Sequence, residues 1–462
     1  MMRQANLFFT TRNRGYLLVF ICGMALSLRV PQNLWAFQVP VRETSQSTDD
    51  ATKEKVGKWI EKQLPEMVPF YQWLHKHPEV SFEEEKTAEY LAKAWEKIGF
   101  EVHRKIGGHG IVGIYRNGKG PRVMLRTDLD ALPVTERTEL PYASSQKTVT
   151  KDGATSGVMH ACGHDVHMTS VTMAGKYLME HKDQWKGTLM LIGQPAEERG
   201  SGAKAMLSDG LFTKFGKPEF ALALHCESST PAGKIGVRSG FLLANVDSVD
   251  IEIQGRGGHG ASPEATIDPI VQAAELILSL QNIVSREIKP IEPAVITVGS
   301  IHGGTKHNII GETCHLQITV RSYSAEVRKQ LLDAIQRRAQ GVASTWNAPM
   351  PKISISEGTP ALENDAALTY RMRKVLEQQL GTDRVLDAEQ VMGGEDFSQY
   401  GLAGVPIMMY RLGVISLERM ERHQKLNKPL PSLHSPEFFP DLEGTLETGV
   451  ASLVYASLDL LK

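Results

Sequence analysis

From about Val56 apolar side chains recur at three- and four-residue spacing: Trp59, Ile60, Leu64 and Val68, then Trp73 and Leu74. That period predicts an amphipathic helix, which His75, His77 and Pro78 end. Ser81-Phe82-Glu83-Glu84 opens a second helix with Ser81 as candidate N-cap, running through Tyr90, Leu91, Trp95 and Ile98 to a stop at Gly99. The pattern then shortens to strand length at Gly110–Tyr115 and Arg122–Thr127, divided by the turn Asn117-Gly118-Lys119-Gly120-Pro121. A helical stretch from about Thr169 to Glu180 and apolar strands at Thr188–Ile192 and Phe220–Leu224 follow.

Around Gly240 the texture changes. Val246–Ile253 alternates as a half-buried strand, and Gly255-Arg256-Gly257-Gly258-His259-Gly260 reads as a Gly-rich loop. A helix at about Pro269–Ser285, strands near Ala294–Ser300 and Cys314–Val320, and a helix at Ala325–Ala343 complete a β-α-β-β-α order. Such an order suits a small ferredoxin-like α+β sandwich inserted between the halves of a larger α/β domain. Helices at Ala366–Gln379 and Glu443–Leu461 flank an apolar stretch at Pro406–Arg411. The expected division is 56–239 and 351–462 for the large domain and 240–350 for the insertion.

Upstream, Arg3, Arg12 and Arg14 precede an apolar run from Tyr16 to Leu28. A basic start and a run of this length read as a secretory signal, and the run is short for a membrane span of about 20 residues. No clean small-x-small cleavage site follows, so residues 1–40 are expected to be a signal peptide or an uncleaved anchor. The chain is accordingly expected to be exported, periplasmic or secreted, or tethered by that segment. Residues 41–55, rich in Ser, Thr and Asp, read as a flexible linker.

The 462 residues are enough for two or three domains. A formal net charge of -2 leaves no electrostatic footprint for nucleic acid. Four cysteines, at 22, 162, 226 and 314, are too few and too scattered for a disulfide framework. Chemistry is the better use for Cys162, because Met159-His160-Ala161-Cys162-Gly163-His164-Asp165-Val166-His167-Met168 packs a thiol, three imidazoles and a carboxylate together. Soft sulfur and borderline nitrogen donors suit zinc or a related transition metal. Gly163 lets the backbone turn so that Cys162 and His164 can face one centre, while His160 and His167 flank it.

Three further strand ends carry matching chemistry. Arg122–Thr127 delivers Asp128 and Asp130, Thr188–Ile192 leads to Glu197 and Glu198, and Phe220–Leu224 ends at His225. Open α/β sheets place ligand crevices beyond the carboxyl ends of their strands. Of two adjacent glutamates, one can hold a metal while its neighbour takes a proton from the water the metal activates. Taken alone, each Asp could be a turn residue and Glu-Glu a solvated turn; their convergence favours chemistry.

These blocks resemble the metallo-amidohydrolases that include hippurate hydrolase, N-acyl-amino-acid amidohydrolases and plant indole-acetyl-amino-acid hydrolases. The resemblance spans about Ile60 to Leu461 and rests on Leu74-His75-Lys76-His77-Pro78-Glu79, Arg126-Thr127-Asp128-Leu129-Asp130-Ala131-Leu132-Pro133, His160-Ala161-Cys162-Gly163-His164-Asp165 and Gln194-Pro195-Ala196-Glu197-Glu198. Gly257-Gly258-His259, Gly393-Gly394-Glu395-Asp396-Phe397 and Leu433-His434-Ser435-Pro436 follow in order. It implies a zinc-peptidase-like α/β domain, a mixed sheet flanked by helices, with the insertion as a lid and dimerisation domain and the molecule a homodimer.

It further implies that Cys162, His164, Glu198, His225 and His434 bind two divalent metal ions (Zn, Mn, Co or Ni), with Glu197 as general base and acid. Asp130 would orient a ligand from behind. His259 would stabilise the oxyanion, from its own chain or a neighbouring subunit, and Asn308 and Arg321 would hold the substrate's amide and α-carboxylate. The implied substrate is a small N-acyl amino acid or short peptide. Read without the resemblance, His434 is a loop residue, His259 a turn histidine and Arg321 a charge after an alternating strand.

The chain departs from the family at Cys226 and Glu227, where relatives usually carry apolar or aromatic residues. Lys306-His307-Asn308-Ile309-Ile310 lacks the expected proline, and Glu264 follows Pro263 where His is frequent. These positions cluster around pocket and lid and bear on substrate choice. A Cys162–Cys226 disulfide would remove a metal ligand; a metal-held thiolate is the expected state. Alternative readings are a dipeptidase or carboxypeptidase, an N-acyl-diaminopimelate-type deacylase, and a metal- or peptide-binding module without activity. Retention of Glu197 argues against the last, since binding alone needs no base.

Overall fold

The computed structural model describes residues 45–462. The expected signal or anchor lies outside the described residues, among which no helix is long and apolar enough to cross a membrane. Helix α1 (Ser45–Lys76) corrects the linker expectation: residues 45–55 are its first turns. Buried Val56, Trp59 and Ile60 anchor it, and once that core-facing stripe is docked the helix propagates outward through polar residues, with Lys58 paired to Glu54 at 2.5 Å.

Helix α2 (Glu85–Ile98) leads into β1 (Glu101–Ile106), β2 (Gly110–Asn117) and β3 (Arg122–Asp128), then α3 (His164–Glu180), β4 (Gly187–Gln194), β5 (Phe220–Pro231) and β6 (Ile235–Val237). The insertion holds β7 (Asn245–Gln254), α4 (Pro269–Arg286), β8 (Ala294–Gly303), β9 (Thr313–Ser322), α5 (Ala325–Thr345) and β10 (Lys352–Glu357). The chain ends with α6 (Ala366–Leu380), β11 (Val385–Asp387), β12 (Ile407–Ile415) and α7 (Leu442–Leu460).

The large sheet is mixed, in the order β1-β2-β4-β3-β5-β12-β6-β11, with β4, β3, β5 and β12 parallel at its centre. The turn at 117–121 therefore does not close a hairpin, because β4 lies between β2 and β3. Strand alternation sorts side chains to two faces. Val123, Leu125, Leu189, Leu191, Leu222, Leu224, Met408 and Tyr410 pack under α1, α2, α3, α6 and α7. Met124, Met190, Ile192, Ala221, Ala223, Ile407 and Met409 form the core of the opposite face. Residues two further along each strand on that second face are Arg126, Gln194, His225 and Arg411, so the period of two alone directs polar groups to one side.

The insertion is an antiparallel sheet in the order β8-β9-β7-β10, covered by α4 and α5 around Val249, Ile251, Leu276, Leu316, Leu331 and Ile335. The ferredoxin-like order is present, with a fourth strand: β10 pairs with β7, so the small sheet continues past residue 350, where the sequence expectation ended it. Its alternation, Ile353 and Ile355 between Lys and Ser, spans too few residues to stand out from a loop.

Helix α1 ends on His75, buried between two acids. Its Nδ1 lies 2.7 Å from Asp165 Oδ2 and its Nε2 3.0 Å from Glu136 Oε1, joining α1 to the first turn of α3 and to the loop after β3. Burial lowers the imidazole pKa, but the two carboxylates outweigh it and raise it to about 9. A folded pKa above the unfolded value of about 6.5 gives stability that is complete below pH 6.5 and lost as pH rises through about 9. The wild type should lose roughly 3 kcal/mol across that window through this group. In denaturant titrations His75→Gln should be less stable at pH 6.5 and nearly level with the wild type at pH 9.5. A difference that does not change with pH contradicts this.

Candidate active site

Asp130, just past β3, is fully buried. Its Oδ1 accepts the Glu197 amide at 3.1 Å, and its Oδ2 accepts the Glu198 amide at 3.0 Å and the Ser81 hydroxyl at 2.6 Å. Ser81 therefore does not cap α2, as its position suggested; helix α2 has no side-chain cap. Ala196, with φ of 51°, turns the chain sharply out of β4, which explains why the Glu-Glu turn needs a partner from elsewhere.

The backbone carbonyl of Asp130 accepts from Nδ1 of His164 at 2.8 Å, leaving Nε2 free to bind a metal. Nδ1 of His225 likewise donates to the Cys226 carbonyl at 2.8 Å. Helix α3 starts at His164, five residues before the expected point, because the Cys/His stretch masks the helical period. Gly163 has φ of 81°, and a Cβ there would meet Cys226 Sγ at 2.7 Å, so glycine is needed for both conformation and space. The described cysteines, Cys162, Cys226 and Cys314, are free thiols.

The expected ligands come together. Cys162 Sγ is 3.6 Å from His225 Nε2 and 3.3 Å from His434 Nε2, and His434 Nε2 is 3.4 Å from Glu198 Oε1. His164 Nε2 is 4.0 Å from Glu198 Oε1 and 3.8 Å from Glu197 Oε2. The donors form overlapping triplets, Cys162–His164–His225 and Cys162–Glu198–His434, each with its atoms within 4.8 Å of one another. Ligand atoms about 2 Å from a shared ion stand at such separations. His434 takes a left-handed conformation, φ 67°, and its amide donates to the Ala161 carbonyl at 2.8 Å, which ties its loop to the Cys162 turn.

The donor set fits a metal centre on two counts. Nε2 of His164 and Oε1 of Glu198 are buried with no hydrogen-bond partner, an arrangement that is costly without a ligand. Negative charge is also in excess. Burial lowers the His164 pKa, yet Asp128, Asp130 and Glu198 raise it to about 10. Burial first, then Glu198 and Glu197, pushes the Cys162 thiol up. Cations at this point would relieve both.

Glu197 lies 7% exposed beside this cluster. Burial, followed by Glu395, Glu198 and Asp396, holds its pKa well above the usual carboxylate range. Beneath it Arg126 donates to Asp128 at 2.7 Å, Glu395 at 2.8 Å and Asp396 at 3.2 Å, and Gln194 donates to Asp396 at 2.6 Å. The acidic group Glu197–Glu395–Asp396 thus already holds a cation, the guanidinium. Asp128 also accepts from Nδ1 of His167 at 2.7 Å, whose Nε2 accepts the Cys226 amide at 2.9 Å; both ring nitrogens are engaged. Arg126 and the Glu395–Asp396 pair stand in the blocks that carry the resemblance, but the sequence reading assigned them no task at the site. An arginine between Leu125 and Thr127 in an apolar strand is the signal that points to such a network.

His259, Asn308 and Arg321 lie on the small domain. His259 and Asn308 are exposed neighbours: β-pairing joins His259 to Ile309, and the Gly260 amide donates to the Asn308 carbonyl at 2.9 Å. Among the described residues no hydrogen bond joins either to Glu197 or the ligand cluster. Arg321, near the end of β9, donates through Nη1 to the Met392 carbonyl at 3.3 Å, beside the Gly393-Gly394-Glu395 loop. Of the three, it alone reaches a segment that lines the centre.

Residues 124–427 match the model of peptidase family M20/M25/M40. The chain is 36% identical to a hippurate hydrolase of Campylobacter jejuni over 70% of this chain and 82% of that protein. It is 34% identical to thermostable carboxypeptidase 1 of Saccharolobus solfataricus over 81% of this chain and 90% of that one. Among solved structures it resembles the YXEP protein of Bacillus subtilis, a dinuclear metal-binding peptidase of the M20 family, with a TM-score of 0.70 and 28% identity, covering 86% of this chain and 98% of that one.

Asp130→Asn should weaken metal binding by about 10- to 100-fold, because an amide cannot accept at both oxygens. Chelator competition, with circular dichroism to show an intact fold, measures this. Equal affinity in the variant contradicts the positioning role.

Proposed function

The chain belongs to peptidase family M20/M25/M40, and on that premise we propose that this metal-dependent hydrolase cleaves the amide bond of N-acyl amino acids. The observation that carries the reading is Glu197, a buried carboxylate beside five converging donors with a raised affinity for a proton. Cys162, His164, Glu198, His225 and His434 would hold two divalent ions, with zinc, manganese, cobalt and nickel all compatible with the donors. Bound there, such ions polarise the scissile carbonyl and acidify the attacking water.

Glu197 takes the proton of that water and delivers it to the departing nitrogen. Asp130 fixes the Glu197 and Glu198 amides, so the two carboxylates keep separate tasks. Arg321 offers a planar fork to the free α-carboxylate of the amino acid. His259 and Asn308 would reach the substrate amide and its oxyanion by closure of the small domain or from a second subunit of a homodimer. Export or tethering by the N-terminal segment would place this activity outside the cytoplasm.

A carboxypeptidase would share the metals and the α-carboxylate grip, so the acyl side discriminates. Metal-reconstituted enzyme should release free amino acid from hippurate and N-acetyl-amino acids in preference to matched free dipeptides. Preference for the dipeptides favours the peptidase reading, and no release from any substrate overturns the proposal. Glu197→Gln should lower kcat by about 10²- to 10⁴-fold while metal content is kept. A variant that stays active removes Glu197 from the role.

A further inference from the structure

Strands β5 and β12 pair in parallel with Arg411 opposite His225. Both follow residues of the second core, Met409 and Ala223, so both side chains turn to the face that carries the site. Arg411 is 5% exposed, comparable to His225 at 8% and Glu197 at 7%. A guanidinium has five N–H donors and keeps its charge, so burial ordinarily comes with close acceptors.

Arg411 lacks them. Its Nη1 is 3.4 Å from His225 Nδ1, but that nitrogen already donates to the Cys226 carbonyl and cannot accept. Its Nε is 4.0 Å from Glu227 Oε2, too long for a hydrogen bond. The other Glu227 oxygen accepts from the amide and hydroxyl of Ser229 at 3.1 and 3.0 Å. A buried cation with unused donors therefore stands against a metal-ligand histidine, on the opposite sheet from Arg321.

We propose that Arg411 receives a second carboxylate of the substrate, making N-acyl amino acids with two carboxylates the preferred class. This rests on the amide-hydrolase reading above. The second carboxylate can belong to the acyl group or to the amino-acid side chain; either presents two oxygens to the guanidinium fork.

The test compares kcat/KM of metal-reconstituted wild type, Arg411→Met and Arg411→Lys on N-acetylalanine, N-succinylalanine and N-acetylglutamate. The wild type should favour a two-carboxylate substrate over N-acetylalanine. That ratio should fall about 10- to 100-fold in Arg411→Met, mainly through KM, with Arg411→Lys between, since it keeps the charge without the fork. Preference for the succinyl or the glutamate compound identifies the acyl side or the side chain. No preference in the wild type, or equal losses on all three substrates, overturns the proposal. Should none be hydrolysed, the hydrolase reading fails by itself. Stabilisation by succinate relative to acetate then still decides the site: larger for wild-type holoenzyme than for Arg411→Met supports it, and equal for both overturns it.

Discussion

The buried carboxylate of Asp130 is the constraint on which the site depends. It closes the Glu197–Glu198 turn by accepting two consecutive amides, while its carbonyl fixes the tautomer and direction of His164. Ser81 supplies a further donor from the segment between α1 and α2. Three distant stretches of chain are thereby locked to one residue at the end of one strand. A glutamate turn entered through a left-handed Ala196 has no such rigidity by itself.

Charge explains the layering around that residue. Acids at one end of a sheet repel each other unless cations are interposed, and the protein uses different cations at different depths. Arg126 bridges the lowest layer, where Asp128, Glu395 and Asp396 are wholly buried. Above it Nε2 of His164 and Oε1 of Glu198 stay buried without a hydrogen-bond partner. Filling the lower layer with arginine leaves the upper one for exchangeable ions, which are open to water and substrate.

Much of this was legible in the sequence where spacing carries chemistry. The Asp128–Asp130 pair, the Glu197–Glu198 pair and His225 each follow an apolar strand, and the Cys162–His164 pair stands out by its density of donors. Elements whose signal is hidden by polar residues were harder to read. Helix α3 begins inside the Cys/His stretch, α1 extends into residues 45–55, and β10 is too short for its alternation to stand out. Partnership across the fold leaves no local trace: Ser81 resembles a cap until Asp130 is brought to it, and Arg411 resembles strand filler until its donors are counted. His259 and Asn308 are a different case: both are exposed on the small domain, and among the described residues neither hydrogen-bonds to Glu197 or the ligand cluster.

The most direct measurement of the account is a crystal structure of the metal-loaded protein with anomalous differences recorded at the edge of the bound metal. The account predicts two peaks sharing Cys162 Sγ, one also touching His164 and His225 and the other Glu198 and His434, with Glu197 free of both. A single peak away from Cys162, or Glu197 taken up as a ligand in place of Glu198, would contradict it.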